Sequence, residues 1–173
     1  MESRFEDWDP AGARYDAVIA ATSFHWIDPA VRVEKAADVL HPSGALVIIS
    51  THHIAGGDTS FFAQVQACYE RWDPSTPPGL TLPRESEVPE DAGEVDRSGR
   101  FGPSEFRRCI RDETYSADGY GDLLLTYSGH LALPQDRRDG LLACIGQLIR
   151  ERFAGRVTKR YLFQLQVARL ADR

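Results

Sequence analysis

The 173-residue sequence is short of positive charge, poor in cysteine and free of long apolar runs. Its 20 Lys and Arg residues are outnumbered by 26 Asp and Glu, a formal balance of −6. That excludes a protein that grips nucleic-acid phosphates by bulk charge. No apolar stretch approaches the roughly 20 residues that a membrane-spanning helix needs. The opening Met1-Glu2-Ser3-Arg4-Phe5-Glu6-Asp7 is acidic and aromatic, unlike the basic-then-apolar start of a secretory leader. Cys68, Cys109 and Cys144 are odd in number, widely spaced and without a C-x-x-C pair. They read as reduced thiols of a cytoplasmic protein. No H-E-x-x-H or G-x-S-x-G motif occurs, and His25, His52 and His53 lack compact ligand spacing, so no metal site is expected. Ser128 and His130 have no third triad member to make a hydrolase. Arg107-Arg108 and Lys159-Arg160 are too short for a phosphate track and read as solvated faces.

What is present suits one globular domain, residues 1–173, at 42% hydrophobic and 27% charged. A chain of this length can bury roughly 70% of its unfolded surface. Three stretches differ in composition: 1–54, 55–100 and 101–173. In the first, Tyr15 to Ala21 and Ala45 to Ile49 are short apolar runs without alternation, as in parallel strands covered on both faces. Between them, Asp28-Pro29 predicts a helix start. Val33, Ala36, Ala37 and Leu40 share one helix face, and His41-Pro42-Ser43-Gly44 ends the helix with a tight reversal. The order is a βαβ unit, whose crossover is expected to be right-handed.

Residues 59–72 read as one amphipathic helix with Phe61, Phe62, Val65, Cys68, Tyr69 and Trp72 on its apolar face. That face is either core or the wall of a substrate pocket. The region after it holds Pro74, Pro77, Pro78, Pro83 and Pro89 among many acids, a solvated loop or a lid. Phe106 to Tyr115 is a strand, Ser116 caps a short helix, and a longer helix follows Pro134 and closes at Gly155. A last strand alternates Tyr161, Phe163, Leu165 and Val167 with Leu162, Gln164, Gln166 and Ala168.

Ligands of open α/β sheets collect beyond the carboxyl ends of parallel strands. There the sequence places Ala21-Thr22-Ser23-Phe24-His25-Trp26 and Ser50-Thr51-His52-His53, with three of the five histidines. These are candidates for proton transfer or substrate contact.

The segments Phe5 to Trp8, Tyr15 to Val18, Phe24-His25-Trp26-Ile27-Asp28-Pro29 and Leu40 to Leu46 follow one another in an order that resembles the class I methyltransferases using S-adenosylmethionine, of the small-molecule type. The resemblance is firm over residues 5–53 and looser to the last strand. It implies an α/β fold, a partial Rossmann-like sheet lacking its N-terminal strands and completed by antiparallel C-terminal strands. It implies that Phe5 and Glu6 lie beside the cofactor's adenine, and that Ala21, Thr22 and His25 border its methionine part. Trp26 would support that turn by packing, and His25 would be the catalytic base. Trp26, His52 and Tyr127 would face a small-molecule methyl acceptor.

His41 and Ser43 depart from the family's usual Arg and Gly. The glycine-rich loop and the ribose-binding acid expected upstream of Phe5 are missing from this sequence. Cofactor binding is therefore expected to be weak or absent, and the strand at Tyr15 to be an unpaired edge. A remnant that associates with a second copy or a partner chain through that edge is the alternative.

Overall fold

A computed structural model describes residues 3–77, 79 and 81–171; Met1, Glu2 and Pro78, used above, lie outside the described residues. Four strands, β1 (Tyr15–Ala21), β2 (Leu40–Ile54), β3 (Glu105–Ser116) and β4 (Arg156–Arg169), form one sheet in the order β1-β2-β4-β3. The sheet is mixed and mostly antiparallel, with β1 and β2 parallel, which is the expected fold class. Helices are α1 (Arg32–Asp38), α2 (Thr59–Gln64), α3 (Gln66–Trp72), α4 (Gly93–Arg97), α5 (Ala117–Leu124), α6 (Ser128–Leu131) and α7 (Gln135–Arg152). None of them is long and apolar enough to cross a membrane. The chain divides into two compact units: Met1–His52, Val88–Cys109 and Leu162–Arg173 make the first, His53–Glu87 and Ile110–Tyr161 the second.

In the first unit Ile19 lies opposite Val47 in a parallel register, as the apolar runs require. β1 is the outer strand of the sheet, and Ile19 there is 64% exposed. Val33, Ala36 and Ala37 of α1 are buried with Leu40, Leu46, Val95, Phe101 and Ala168. The helix starts later than expected, because the Asp28 carboxylate accepts from the Ala30 N–H at 2.9 Å and makes a turn of its own. Leu40 belongs to β2 rather than to α1.

His41 to Gly44 form a bulge inside β2, where the register passes from Tyr15↔Leu40 to Ala17↔Ala45. Ser43, with φ 66°, takes the left-handed conformation there. Gly44 is needed for another reason: a Cβ would sit 2.9 Å from the His41 carbonyl oxygen and 3.1 Å from that of Asp16. The acidic region expected to be solvated is anchored, since Val88 and Val95 are buried and Glu94 pairs with Arg32.

The second unit packs α2, α3, α5 and α7 around Phe61, Val65, Cys68, Tyr120, Leu124, Leu141, Ile145, Ile149 and Val157. The helix expected over 59–72 is two helices meeting at Val65. The Cys68 N–H bonds there to Val65 three residues back, tightening the turn. Ser116 caps α5 as expected, its Oγ accepting from the Gly119 N–H at 3.1 Å. The chain leaves α7 through Gly155, at φ 76°, whose N–H donates to the Ile149 carbonyl. One expectation is corrected. Cys68 and Cys144 are not free thiols but a disulfide joining α3 to α7, with Cα atoms 5.9 Å apart.

Candidate functional site

In the first unit the turn after β1 is held from behind. Arg32 donates from Nη1 to the Phe24 carbonyl at 2.8 Å, stacks over the Phe24 ring and pairs with Glu94. Thr22, with φ 53°, stands in a backbone region that costs a β-branched residue free energy, and its N–H is tied to the Ile49 carbonyl at 2.8 Å. Glu6 reaches the same turn: its Oε1 accepts from the Asp28 N–H at 3.1 Å, while Lys35 donates to the Glu6 carbonyl at 2.8 Å. The N–H groups of Glu6 and Asp28 hold this carboxyl below the ordinary carboxylate range. Phe5 lies under the Lys35 ammonium and beside the Trp8 ring. The result is an ionised carboxylate and a strained, polar turn just past the carboxyl end of a parallel strand.

The second unit carries a cavity of about 440 Å³, within the range of small-molecule sites. Helices α2 and α3 supply Phe62, Ala63, Gln66 and Tyr69. Tyr120 and Leu124 come from α5, with Tyr127 and His130 beyond it. Thr81 and Leu82 close one side, and His53 and Lys159 project from the ends of β2 and β4. Lys159 is 3% exposed, which corrects its reading as a solvated face. Its Nζ donates to Tyr127 Oη at 3.2 Å and lies 5.1 to 5.7 Å from the ring centres of Tyr120, Tyr127 and Tyr161.

Tyr69 Oη and His130 Nε2 are 3.0 Å apart. Burial governs the protonation of the whole group. It lowers Lys159 to about 8, and it raises Tyr69 to about 12 and Tyr120 further. His53 falls to about 3, through burial first and then the Lys159 charge, and His130 falls for the same two reasons against the opposing Asp73. At neutral pH the cavity therefore holds one cation among neutral donors and acceptors.

No protein-family model and no curated protein matches the chain. A solved structure from Anaeromyxobacter dehalogenans, assigned as a type II methyltransferase, does. The match covers 93% of this chain and 67% of that one, at 19% identity and a TM-score of 0.55. This chain has a methyltransferase fold. A second structure, from Bacillus halodurans and also assigned as a methyltransferase, matches over 97% of this chain and 69% of its own, at 17% identity and a TM-score of 0.47. The chain thus spans about two thirds of the length of both structures.

Within this methyltransferase fold the residues read from the sequence are distributed unevenly. Phe5, Glu6, Ala21, Thr22, His25 and Trp26 all belong to the first unit, and the Glu6–Asp28 hydrogen bond ties their two segments together. Trp26 does not pack beneath the turn: it is 70% exposed and meets the His25 ring at 4.9 Å. His52 and His53 lie inside β2, not beyond its end. His52 bonds to Ser50 Oγ at 3.0 Å, and burial lowers its pKa. Of the three expected acceptor contacts, only Tyr127 lines the cavity. Sequence reasoning missed Arg32 as the support of the turn and Lys159 as the cavity's cation.

Proposed function

We propose that the protein is an S-adenosylmethionine-dependent methyltransferase acting on a small molecule. The observation that carries the reading is the methyltransferase fold, with parallel β1 and β2 in the expected Ile19–Val47 register. When bound, the cofactor supplies an electrophilic methyl on a sulfonium. Phe5, Glu6, Ala21, Thr22 and His25 would hold it, and they fit: an ionised carboxylate and a polar turn are joined by a hydrogen bond. Protein chemistry in such a transfer is mostly alignment of donor and acceptor. His25 is exposed beside the turn and free to take a proton from the acceptor's nucleophile.

The test is an NMR titration with S-adenosylhomocysteine, joined to a labelled-methyl transfer assay of wild type and His25→Ala. Amide shifts are expected at Phe5, Glu6 and Ala21 to His25 with a weak, millimolar affinity. The variant is expected to bind alike and turn over about a hundredfold slower. Absence of those shifts overturns the reading, and equal turnover removes the base role.

A second reading has its own observation. β1 is an outer strand whose Ile19 faces solvent, and such an edge templates pairing with another chain. In that reading a second copy or a partner strand covers β1. Ile19→Lys would then convert a defined dimer or complex to monomer in size-exclusion chromatography, and a wild-type monomer at high concentration would exclude it.

A further inference from the structure

The Lys159 charge in the wall of the second unit's cavity has no ion-pair partner among the described residues, although Arg32, Arg100, Arg108 and Arg160 each find one. Its ammonium has three donors, of which the Tyr127 hydroxyl takes one. The surrounding rings offer quadrupole attraction but no charge. A buried cation held this way is costly by itself and is relieved by an anion brought into the same low-dielectric space.

The rest of the wall sets the shape of the partner. Phe62, Ala63, Val65, Leu82 and Leu124 make the cavity predominantly apolar. Gln66 Oε1, His53 Nε2 and His130 Nδ1 are buried without a hydrogen-bond partner among the described residues, so neutral polar contacts stand near the cation. We propose that this cavity binds an apolar small molecule carrying a single carboxylate, with the carboxylate on Lys159 Nζ and the Tyr127 hydroxyl and the apolar body against Phe62 and Leu124. Such a ligand satisfies the ammonium's remaining donors and fills a volume of about 440 Å³. As a substrate class it rests on the methyltransferase reading above, but binding itself needs no cofactor.

The protonation of the cavity gives the proposal a pH signature. The groups around Lys159 are Tyr120 of α5, Tyr127, Tyr161 of β4, His53 of β2 and, near Tyr69 of α3, His130 of α6. The tyrosines stay protonated, and the pKa of each histidine is lowered, so Lys159 is the group that changes charge above neutrality. Its free-protein value near 8 means that affinity for a carboxylate falls as pH rises past that point, by up to tenfold per pH unit until the raised value of the bound state is reached.

The experiment is calorimetric titration of the full chain, without cofactor, with 4-phenylbutyrate and its neutral isostere 4-phenylbutyramide. The acid is expected to bind at least tenfold tighter than the amide at pH 7, and this preference to shrink between pH 8 and 10. Lys159→Met, which replaces a buried unpaired charge by an apolar chain of similar length, is expected to fold, to erase the preference and to keep amide binding. Equal binding of acid and amide by wild type overturns the proposal. So do a preference that survives in Lys159→Met and failure of both probes to bind at millimolar concentration. These outcomes are separate from the cofactor titration: loss of one reading leaves the readout of the other intact.

Discussion

Reduction of the Cys68–Cys144 bridge is expected to destabilise the protein by about 4 kcal/mol. The cysteines are 76 residues apart, and in the chain-entropy account a cross-link closing a loop of that size removes about this much disorder from the unfolded state. For a chain of this length the melting midpoint should fall by about 10 °C. Thermal melts with and without a phosphine reductant, with alkylation to verify free thiols, measure it. An unchanged midpoint after complete reduction would show that the folded packing of α3 on α7 is enough alone. The bridge also bears on function, because Cys68 stands between Val65 and Tyr69, both in the cavity wall. Loosening α3 from α7 should weaken cavity ligands along with the fold. A cytoplasmic setting, expected above from free thiols, loses that support, since such bridges persist mainly in oxidising compartments.

What could be read in advance and what could not divide along the range of the signal. The apolar runs at Val18 and Val47 and the helical spacing of Val33, Ala36 and Ala37 are local patterns, and all three elements form where the pattern lies. Ser116 is local too, because a cap needs only the next few residues. The continuation of β2 through Ser50-Thr51-His52-His53 is not local. Those residues are polar, and their strand conformation depends on β4 lying alongside. Pairing of Cys68 with Cys144 depends likewise on α3 meeting α7, which no spacing announces. Lys159 was hidden by its neighbour Arg160, whose guanidinium does reach outward to Asp112 at 2.7 Å. The signal that could have found it is the phase of the strand: Val157 and Tyr161, two residues away on each side, are buried, and alternation puts Lys159 between them. For the candidate cofactor residues the legible part was the place, past the end of β1, and the illegible part was the support that Arg32 gives from a different element.

The aromatic face of residues 59–72 could be read as core or as pocket wall, and adjacent residues divide the two roles. Phe61 is fully buried and meets Phe62, Tyr120 and Phe153 edge to face at 5.1 to 5.4 Å. Phe62 is half-buried, touches the His53 ring at 4.6 Å and lines the cavity. Phe61→Ala is expected to cost about 3–5 kcal/mol, the transfer free energy of the ring plus the void left among three aromatic neighbours. Phe62→Ala is expected to cost about 1–2 kcal/mol, because part of that ring is already solvated. The ligand readout should run the opposite way. Phe62→Ala weakens 4-phenylbutyrate by removing the wall on which its phenyl group lies, whereas Phe61→Ala, under conditions where it remains folded, leaves the lining in place. Urea denaturation of both variants and titration of the folded forms give four numbers. Equal stability losses would mean that the division between core and wall is wrong. A Phe62→Ala protein that binds 4-phenylbutyrate as wild type does would place the ligand's apolar body elsewhere in the cavity.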